Sequence, residues 1–417
     1  MRILLLTLVA PYPPDSGPKV KTYNLLQYLG RHHEVTLVAL VRSAQEQAHA
    51  EQLRGLCHAV YTVPFRRSRW RDLGYFMASL LSGTSFLMRR DESPALRQLL
   101  ADLTARESFD LIHPDQLNMA QFAVDLPGAR VLDQHNAVWT IVARMAANEP
   151  WLPKRMLLDL EARRLRRYEA AICARFDALL AVSEPDLHFL QLAAAEIGVS
   201  LPPTTVVPIA VDARAAPPIT RIDQPLTILS MATMFWPPNV DGVLWFANEV
   251  YPLVQREIPA VRFAIVGARP PAQVRRLAER DPSIAVTGYV DDPQPYLEQA
   301  AALIVPVRAG GGMRVKILEA LARGLPIVST TIGYEGIDLH PGEHLLVGDT
   351  PQAFAAALIA ILRDPALGRQ LAAAGRRIAE DHYDWRVVNP QVDAAYATAL
   401  TRAGRSPAQP AEVSPCL

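Results

Sequence analysis

The chain has little cysteine, no excess of charge of either sign and no long apolar run. Its 417 residues include three cysteines, Cys57, Cys173 and Cys416, whose odd number and wide spacing provide neither a disulfide framework nor a metal-ligand motif. Lysine and arginine together number 42, as do aspartate and glutamate, so the formal net charge is zero. We therefore expect no nucleic-acid partner, and the cysteine content fits a reducing cytoplasm.

The first ten residues are apolar enough to suggest a signal peptide. The run is short, however, and leads into Pro11, Pro13 and Pro14 before a helix-like pattern, which is more typical of a first β-strand. No other run approaches the ~18 apolar residues that a membrane-spanning helix requires. We therefore expect a protein that is soluble or attached to a membrane surface.

The length and the pattern of apolar residues predict two α/β domains. A chain of 417 residues is too long for one ordinary hydrophobic core. Strand-like and helix-like segments alternate throughout, which is typical of doubly wound parallel sheets. Pro217 and Pro218 mark the expected linker, with domains at residues 1–215 and 222–382, and the proline-rich tail 406–417 is predicted to be disordered. Because such sheets bind ligands at the carboxyl ends of their strands, we expect a cleft between the two domains.

One stretch, residues 305–330, combines the end of a strand, a glycine loop and a helix. Residues 301–307 are almost wholly apolar, as in a strand buried on both faces of a parallel sheet. Gly310, Gly311 and Gly312 then allow a sharp turn and the close approach of a ligand, and apolar residues recur at helical spacing from Met313. Free N–H groups at the start of such a helix form an anion site. The alternative is a flexible loop before an ordinary helix.

Arg314 and Lys316 fall within the first turn predicted for that helix. The helix dipole usually favours acidic side chains there, so two basic residues conflict with it. A bound diphosphate would resolve the conflict, because it would be neutralised by both side chains and by the helix N-terminus. The alternative is that both side chains face water.

Two further segments are rich in arginine. Residues 66–90 have an apolar centre flanked by arginines, and residues 163–167 carry four arginines on a long predicted helix. Two interpretations remain open for both segments. They form an interfacial patch for anionic lipid, or they belong to amphipathic helices that cover the sheet with their arginines in water.

Several short motifs carry a family likeness through their order along the chain. They are Pro-Pro-Asp-Ser-Gly at residues 13–17, His135-Asn136, Val182-Ser183-Glu184, Val-Pro-Ile-Ala-Val-Asp at residues 207–212, Val-Thr-Gly-Tyr-Val at residues 286–290, and Lys-Ile-Leu-Glu-Ala-Leu-Ala-Arg-Gly-Leu-Pro-Ile-Val at residues 316–328. Together they cover nearly the whole chain. The sequence resembles the GT-B glycosyltransferases of family four, which are retaining, nucleotide-sugar-dependent enzymes of bacterial polysaccharide and glycolipid assembly.

The resemblance implies a GT-B fold, with two Rossmann-like domains facing a cleft and a last helix, about residues 384–402, returning to the N-terminal domain. It assigns residues 1–215 to the acceptor side and residues 222–382 to nucleotide-sugar binding. The implied reaction moves a sugar from a UDP- or GDP-sugar to a hydroxyl of a lipid-linked or glycan acceptor, with retention. No metal and no further cofactor are expected. The expected location is the cytoplasm, and peripheral contact with the inner, anionic face of the cell membrane is expected only from the two arginine-rich segments.

The resemblance also assigns roles to individual residues. Glu319 would bind the ribose, Tyr289 and Val290 would line the nucleobase, and Glu335 would border the donor sugar, although the last could equally lie in an ordinary surface turn. His135 matches the active-site histidine that contacts the donor sugar near the reacting carbon. The residues assigned to the donor diphosphate and sugar are Gly310, Gly311, Gly312, Met313, Arg314 and Lys316. Those assigned to the acceptor side are Gly17, Lys21 and Asp115. For Asp115 and nearby His113, a capping or core role is an open alternative.

The sequence departs from the family pattern at three places. Gly311 stands where the family has the first glutamate of its Glu-x7-Glu motif. Residues 231–238 lack the usual basic pair, and Ile209-Ala210 replaces an asparagine-glycine pair. Arg314 and Lys316 would then neutralise the diphosphate alone, with the glycine-loop amides contacting the sugar. The alternatives are a catalytically degenerate nucleotide-sugar-binding scaffold and a GT-B sugar-nucleotide epimerase.

Overall fold

The computed structural model describes residues 1–219 and 226–405, so the tail predicted at 406–417 lies outside the described residues. The chain forms two compact units. One comprises residues 1–209 with the chain from Val388 onward, and the other comprises residues 210–387. The chain enters the second unit upstream of Pro217 and Pro218, because Val211 already pairs with Asp384 of the same unit in an isolated β-bridge. The predicted boundary at residue 215 is thus six residues beyond the end of the first unit's N-terminal segment.

The first unit contains a seven-stranded parallel sheet with the strand order β3-β2-β1-β4-β5-β6-β7. Its strands are β1 (Arg2–Thr7), β2 (Glu34–Val41), β3 (Ala59–Pro64), β4 (Leu111–Asp115), β5 (Ala129–Gln134), β6 (Ala178–Ala181) and β7 (Thr204–Val206). The central strand β1 is apolar, and Ile3, Leu4, Leu5 and Leu6 are fully buried in it. The strand order reverses between β1 and β4, so the loops after these two strands border a potential ligand crevice.

Nine helices lie in the first unit ahead of residue 209. They are α1 (Gly17–His32), α2 (Ala44–Glu51), α3 (Arg69–Ser82), α4 (Phe86–Arg90), α5 (Pro94–Arg106), α6 (Leu117–Ala123), α7 (Val138–Ala147), α8 (Leu152–Cys173) and α9 (Glu184–Glu196), with a 3₁₀ turn at Gln52–Gly55. Serine side chains at positions 43, 93 and 183 accept backbone N–H groups at the starts of α2, α5 and α9. These caps satisfy groups that the first turn leaves unpaired.

The second unit contains a six-stranded parallel sheet with the order β10-β9-β8-β11-β12-β13. Its strands are β8 (Thr227–Met231), β9 (Arg262–Val266), β10 (Ile284–Gly288), β11 (Ala300–Val305), β12 (Ile327–Ser329) and β13 (Leu346–Val347). Its helices are α10 (Pro237–Trp245), α11 (Tyr251–Glu257), α12 (Ala272–Arg280), α13 (Gln294–Glu298), α14 (Val315–Ala322), α15 (Pro351–Arg363) and α16 (Pro365–Ile378), with a 3₁₀ turn at Ile332–Tyr334 and π turns at Phe246–Val250 and Ala379–Tyr383. The strand order reverses between β8 and β11, which makes the loops after these strands the second potential ligand crevice.

A last helix, α17 (Trp385–Arg402), leads the chain from the second unit back to the first. It contributes Tyr396, which is fully buried. All six residues of β11 are buried, as the apolar run at residues 301–307 predicts. The predicted fold class, α/β with two Rossmann-like doubly wound domains, is confirmed. Within residues 1–219 and 226–405, no helix has both the length and the apolar character needed to cross a membrane.

Candidate functional site

The glycine loop lies where the strand order of the second unit reverses. β11 ends at Val305 and α14 begins at Val315, so residues 306–314 form the loop at the carboxyl end of the strand. Gly310 and Gly312 have φ angles of 126° and 82°, a region that other residues rarely adopt. A Cβ on Gly310 would also lie 3.1 Å from the Arg314 guanidinium. The local backbone therefore requires glycine at these two positions.

Arg314 is not part of the first helical turn, and this corrects the prediction that the helix starts at Met313. It is the N-cap of α14 and has an extended backbone, with φ −97° and ψ 99°. Its Nη1 donates to the carbonyl oxygens of Gly311 and Gly312, the latter at 2.5 Å. Because the loop turns its carbonyl groups toward this side chain, the guanidinium holds the loop in shape and places a positive charge at the start of the helix.

Lys316 is the second residue of α14 and lies partly buried, two residues after the loop. Burial and, to a smaller extent, the positive charge of Arg314 together lower the pKa of Lys316 to about 7. An ammonium group in such surroundings is stabilised by a nearby anion. Arg314 and Lys316 therefore form a basic pair that an anionic ligand would complete.

The other residues predicted for the donor occupy the same edge of the sheet. Met313 is buried beneath the loop, and Glu319 is exposed on α14 one turn beyond Lys316. Glu335 follows the 3₁₀ turn after β12, the strand beside β11. Tyr289 and Val290 follow β10, which is separated from β11 by β9 and β8, and 70% of the Tyr289 surface is exposed.

Three residues near this edge were missed by the sequence reasoning. Phe235 and Trp236 follow β8, which is the strand beside β11. Their exposed fractions are 54% and 45%. The guanidinium carbon of Arg269, after β9, lies 4.2 Å from the centre of the Phe235 ring. Arg269 thus brings a positive charge to the loop in which the sequence lacks its expected basic pair. The sequence signal that could have identified this part of the site is the pair of consecutive aromatic residues after the predicted strand.

In the first unit, strand register brings a set of ionisable side chains together. His113 and Asp115 lie in β4, Asp133 lies in β5, and His135 follows β5. Asp115 pairs directly with Asp133 across the two parallel strands. Residues two apart in a strand face the same side, so these four side chains converge at the carboxyl edge next to the reversal of strand order. Asp133 was missed by the sequence reasoning, although its i, i+2 spacing to His135 repeats that of His113 and Asp115.

Lys21 joins this set from α1, the helix that begins at Gly17. Its Nζ forms a buried ion pair with Oδ1 of Asp133. His135 Nε2 lies 2.8 Å from Asp115 Oδ1 and 3.7 Å from Asp133 Oδ2. Lys21, Asp115, Asp133 and His135 are all buried, so each carboxylate faces a cation in surroundings that exclude water. We call these four residues, with His113, the buried ionic cluster.

The buried ionic cluster shifts the pKa values of two of its members. Burial alone would raise the pKa of Asp133, but the charges of Lys21 and His135 outweigh it and hold this pKa well below its usual range. Burial alone would lower the pKa of His135, but the carboxylate of Asp115 outweighs it and raises this pKa to about 8. His135 is therefore protonated near neutral pH. Its Nδ1 is buried and has no hydrogen-bond partner among the described residues.

Tyr396 fixes the remaining member of the cluster from α17. Its hydroxyl lies 2.7 Å from His113 Nδ1, and His113 Nε2 lies 3.9 Å from Asp133 Oδ2. Burial raises the pKa of Tyr396 well above its usual value, so the hydroxyl keeps its proton. If this hydroxyl donates to Nδ1, the ring proton of His113 lies on Nε2, the nitrogen that faces Asp133. Tyr396 was missed because nothing in the sequence links it to residue 113.

His113, Asp115 and Asp133 are metal-ligand types whose ligand atoms lie within 4.8 Å of one another. Each of them already has a partner in the chain, because Asp133 accepts from Lys21, Asp115 accepts from His135, and His113 contacts Tyr396. Asp133 Oδ2 and His113 Nε2, however, have no hydrogen-bond partner among the described residues. The internal pairing therefore occupies only part of this set of ligand atoms.

Residues 225–364 match a protein family described as Glycosyl transferases group 1. Over 405 residues the chain is 21% identical to an uncharacterized 44.6 kDa protein in the cps region of Klebsiella pneumoniae, covering 93% of this chain and 97% of that protein. Over 122 residues it is 33% identical to the phosphatidyl-myo-inositol mannosyltransferase of Mycobacterium leprae (strain TN), covering 28% of this chain and 32% of that protein. The mannosyltransferase likeness is thus confined to a part of each chain.

Solved structures resemble the chain over almost its whole length. Sucrose-phosphate synthase from Thermosynechococcus elongatus matches with a TM-score of 0.68 and 16% identity, covering 96% of this chain and 100% of that one. Anabaena HepE, solved in complex with UDP, matches with a TM-score of 0.67 and 14% identity, covering 95% of this chain and 100% of that one. These likenesses show the fold, which is GT-B.

Proposed function

We propose that this chain, which has the GT-B fold and matches the glycosyl transferases group 1 family over residues 225–364, transfers a sugar from a nucleoside-diphosphate sugar to an acceptor hydroxyl. The proposal includes retention of the anomeric configuration and catalysis without a metal or further cofactor. A UDP-sugar is favoured as donor by the likeness to HepE, which was solved with UDP. A GDP-sugar remains the alternative donor.

The observation that carries the proposal is the basic pair beside the glycine loop. Arg314 and Lys316 meet at the start of α14, where the strand order of the sheet reverses. The leaving diphosphate gains negative charge as the glycosidic bond breaks, and preorganised cations stabilise such developing charge. Backbone N–H groups at the helix start add to this stabilisation. In this proposal Glu319 binds the ribose, Tyr289 and Val290 line the base, and Glu335 borders the sugar.

The buried ionic cluster receives the second role in the proposal. His135 is held by Asp115 with its Nδ1 unpaired, and this nitrogen would hold a proton close to the reacting sugar. Asp115 and Lys21 act through their contacts, because Asp115 keeps His135 charged and Lys21 neutralises Asp133. Gly17 starts the helix that carries Lys21 and would lie on the acceptor side.

We further propose that the acceptor is a lipid-linked or glycan hydroxyl in cell-surface polysaccharide or glycolipid assembly. The likeness to a protein of the Klebsiella pneumoniae cps region supports this setting. The cytoplasm, at the inner face of the cell membrane, is the proposed location.

The test measures nucleotide release by the purified chain from a panel of UDP- and GDP-sugars, with and without lipid-linked acceptors. Acceptor-dependent release is expected. Release of nucleotide without any acceptor would indicate an epimerase. Binding of the nucleotide sugar without release of nucleotide, whatever the acceptor, would indicate a scaffold. The scaffold is a specific alternative because Gly311 stands in place of the family glutamate.

Two substitutions sharpen this test. Arg314→Ala should lower kcat by roughly 10² to 10³, the scale for a lost transition-state contact. Arg314→Lys keeps the charge but loses the two-carbonyl contact, so it should fall between the wild type and Arg314→Ala. Arg363→Ala is the matched control, because Arg363 forms an exposed ion pair with Glu257 in the same unit. Undiminished turnover in Arg314→Ala would contradict the proposal that Arg314 stabilises the leaving diphosphate.

A further inference from the structure

The segment that carries His135 links β5 to α7. β5 ends at Gln134 and α7 begins at Val138, so His135 lies three residues before the helix. The N-cap of α7 is Ala137, which has no side-chain oxygen, and the first turn of the helix contains no acidic residue. The backbone N–H groups at the start of α7 therefore need acceptors from elsewhere in the chain.

Two carboxylates from other helices supply these acceptors. Glu169, on α8, accepts the N–H groups of residues 138 and 139, with Oε1 at 3.0 Å and Oε2 at 3.1 Å. Asp186, on α9, accepts the N–H group of Ala137 with Oδ1 at 2.8 Å. The first of these three consecutive N–H groups lies two residues after His135. The backbone that follows His135 is thus held by side chains that lie far from it in sequence.

The residue before His135 is tied to α8 as well. The side-chain amide of Gln134 donates to Sγ of Cys173 at 3.1 Å, and both residues are fully buried. Cys173 lies four residues after Glu169, so the two side chains lie on the same face of α8. That face of α8 therefore holds the His135 segment at both of its ends.

Asp186 is itself fixed by the Val182-Ser183-Glu184 motif. The hydroxyl of Ser183 donates to Oδ2 of Asp186 at 2.5 Å, and the N–H group of Asp186 donates to the same hydroxyl oxygen at 3.3 Å, which caps α9. One oxygen of this carboxylate is thus used at the start of α9 and the other at the start of α7. Through Asp186, the motif reaches the His135 segment.

Glu169 lies in surroundings that are costly for a carboxylate. It is fully buried, and burial raises its pKa to about 8, although the N–H groups of Val138 and Trp139 act in the opposite direction. The charge of Asp186 raises this pKa further, and no basic side chain among the described residues lowers it. Buried groups with shifted pKa values are enriched at functional sites, and this one holds the backbone next to His135.

We propose that Glu169 and Asp186 are positioning residues for His135. By fixing the backbone at residues 137–139, they keep the imidazole 2.8 Å from Asp115, the contact that holds His135 in place beside the reacting sugar. The effect on the reaction rests on the proposed function. The position of the imidazole itself can be measured without turnover.

One test follows the titration of His135 by NMR in the full chain labelled at its histidines, with His135→Gln identifying the signal. Glu169→Ala removes the acceptors for residues 138 and 139, so the segment shifts and the imidazole moves away from Asp115. The pKa of His135 should therefore fall from about 8. An unchanged pKa in the folded variant would overturn the proposal.

A second test measures sugar transfer. Glu169→Ala should lower kcat roughly tenfold to a hundredfold, the scale for displacing a catalytic group by about 1 Å. KM for the nucleotide sugar should change little, because the proposed donor residues lie in the second unit. Glu169→Gln keeps one acceptor oxygen and should recover part of the lost kcat. A wild-type kcat in Glu169→Ala would overturn the role of Glu169 in the reaction.

Glu161→Ala is the matched control. Glu161 lies eight residues before Glu169 on α8 and accepts the N–H groups of Phe86 and Leu87, at 3.1 Å and 2.9 Å, at the start of α4. It therefore caps a helix in the same way, but α4 carries none of the candidate site residues. Glu161→Ala should leave kcat and the titration of His135 unchanged. Equal changes in both variants would assign them to a general loss of stability and overturn the proposal.

Two further measurements keep the outcomes separate. Circular dichroism reports whether each variant is folded, and if Glu169→Ala is not, Asp186→Ala repeats the test by removing the acceptor for Ala137. It should lower the pKa of His135 in the same direction, and an unchanged pKa would overturn the proposal. Absence of sugar transfer by the wild type would contradict the proposed function, whereas the NMR titration would still decide whether these carboxylates position His135.

Discussion

Raising the pH should weaken the binding of a nucleotide sugar, with Lys316 as the cause. Burial and the charge of Arg314 lower the pKa of Lys316 to about 7 in the unliganded protein. A bound diphosphate favours the charged ammonium, so the pKa of Lys316 is higher in the complex than in the free protein. Affinity is then fully present below the free pKa and is lost as the pH rises toward the bound pKa.

The size of the effect follows from the free pKa of Lys316. Each pH unit above it costs about 1.36 kcal/mol for protonation, a tenfold loss of affinity. Lys316 is half protonated at about pH 7, so between about pH 7 and pH 8.5 the dissociation constant should rise roughly sixteenfold. Lys316→Arg should remove this dependence, because a guanidinium stays charged throughout this range. Lys316→Met should bind weakly at every pH and show no slope.

Isothermal titration calorimetry measures this prediction with UDP-glucose and GDP-mannose in two buffers of different ionisation heat. A nucleotide sugar is used because the terminal phosphate of a free nucleotide itself titrates near pH 6. The wild type should take up close to one proton on binding at about pH 8, one unit above the free pKa of Lys316, and Lys316→Arg should take up none. A pH-independent affinity in the wild type, or the same slope in Lys316→Arg, would refute the reasoning.

Three further predictions concern the buried ionic cluster. Lys21→Met and Asp133→Asn should each lower the free energy of unfolding by roughly 3–5 kcal/mol, because each leaves a buried charge unpaired. In urea unfolding, the double variant should lose less stability than the sum of the two single losses. Strictly additive losses would contradict the ion pair. Asp115→Asn should lower the pKa of His135 from about 8, because it removes the nearer of the two carboxylates that oppose the effect of burial and leaves only Asp133, and an unchanged titration by NMR would count against that contact. Tyr396→Phe should cost about 1–3 kcal/mol of stability, because its histidine partner in β4 keeps a buried nitrogen without a hydrogen bond, and the ¹⁵N shift of that nitrogen should move.

Local sequence patterns predicted the elements that carry the donor site. β11 was predicted because both faces of a central parallel strand are buried, which leaves a continuous apolar run. The start of α14 was predicted two residues too early, because apolar spacing says nothing about the extended backbone of Arg314. The roles of Glu319, Glu335, Tyr289 and Val290 stay predictions, since they rest on the resemblance and not on geometry.

Contacts between distant parts of the chain could not be predicted in this way. Asp133 meets Asp115 through strand register, and Tyr396 meets His113 across 283 positions of sequence. The surroundings of the arginine-rich segments could not be predicted either, because helical periodicity shows that an apolar face exists but not what it contacts. Both interpretations of these segments stay predictions.

The path of α17 has a consequence for the order of folding during synthesis. Residues 210–387 all leave the ribosome after residue 209 and before the segment that carries Tyr396. The Tyr396 partner of His113 is therefore missing from a nascent first unit until residue 396 has been synthesised. The 178 residues from 210 to 387 behave as an insertion in a host domain, and the host closes only when its last helix arrives.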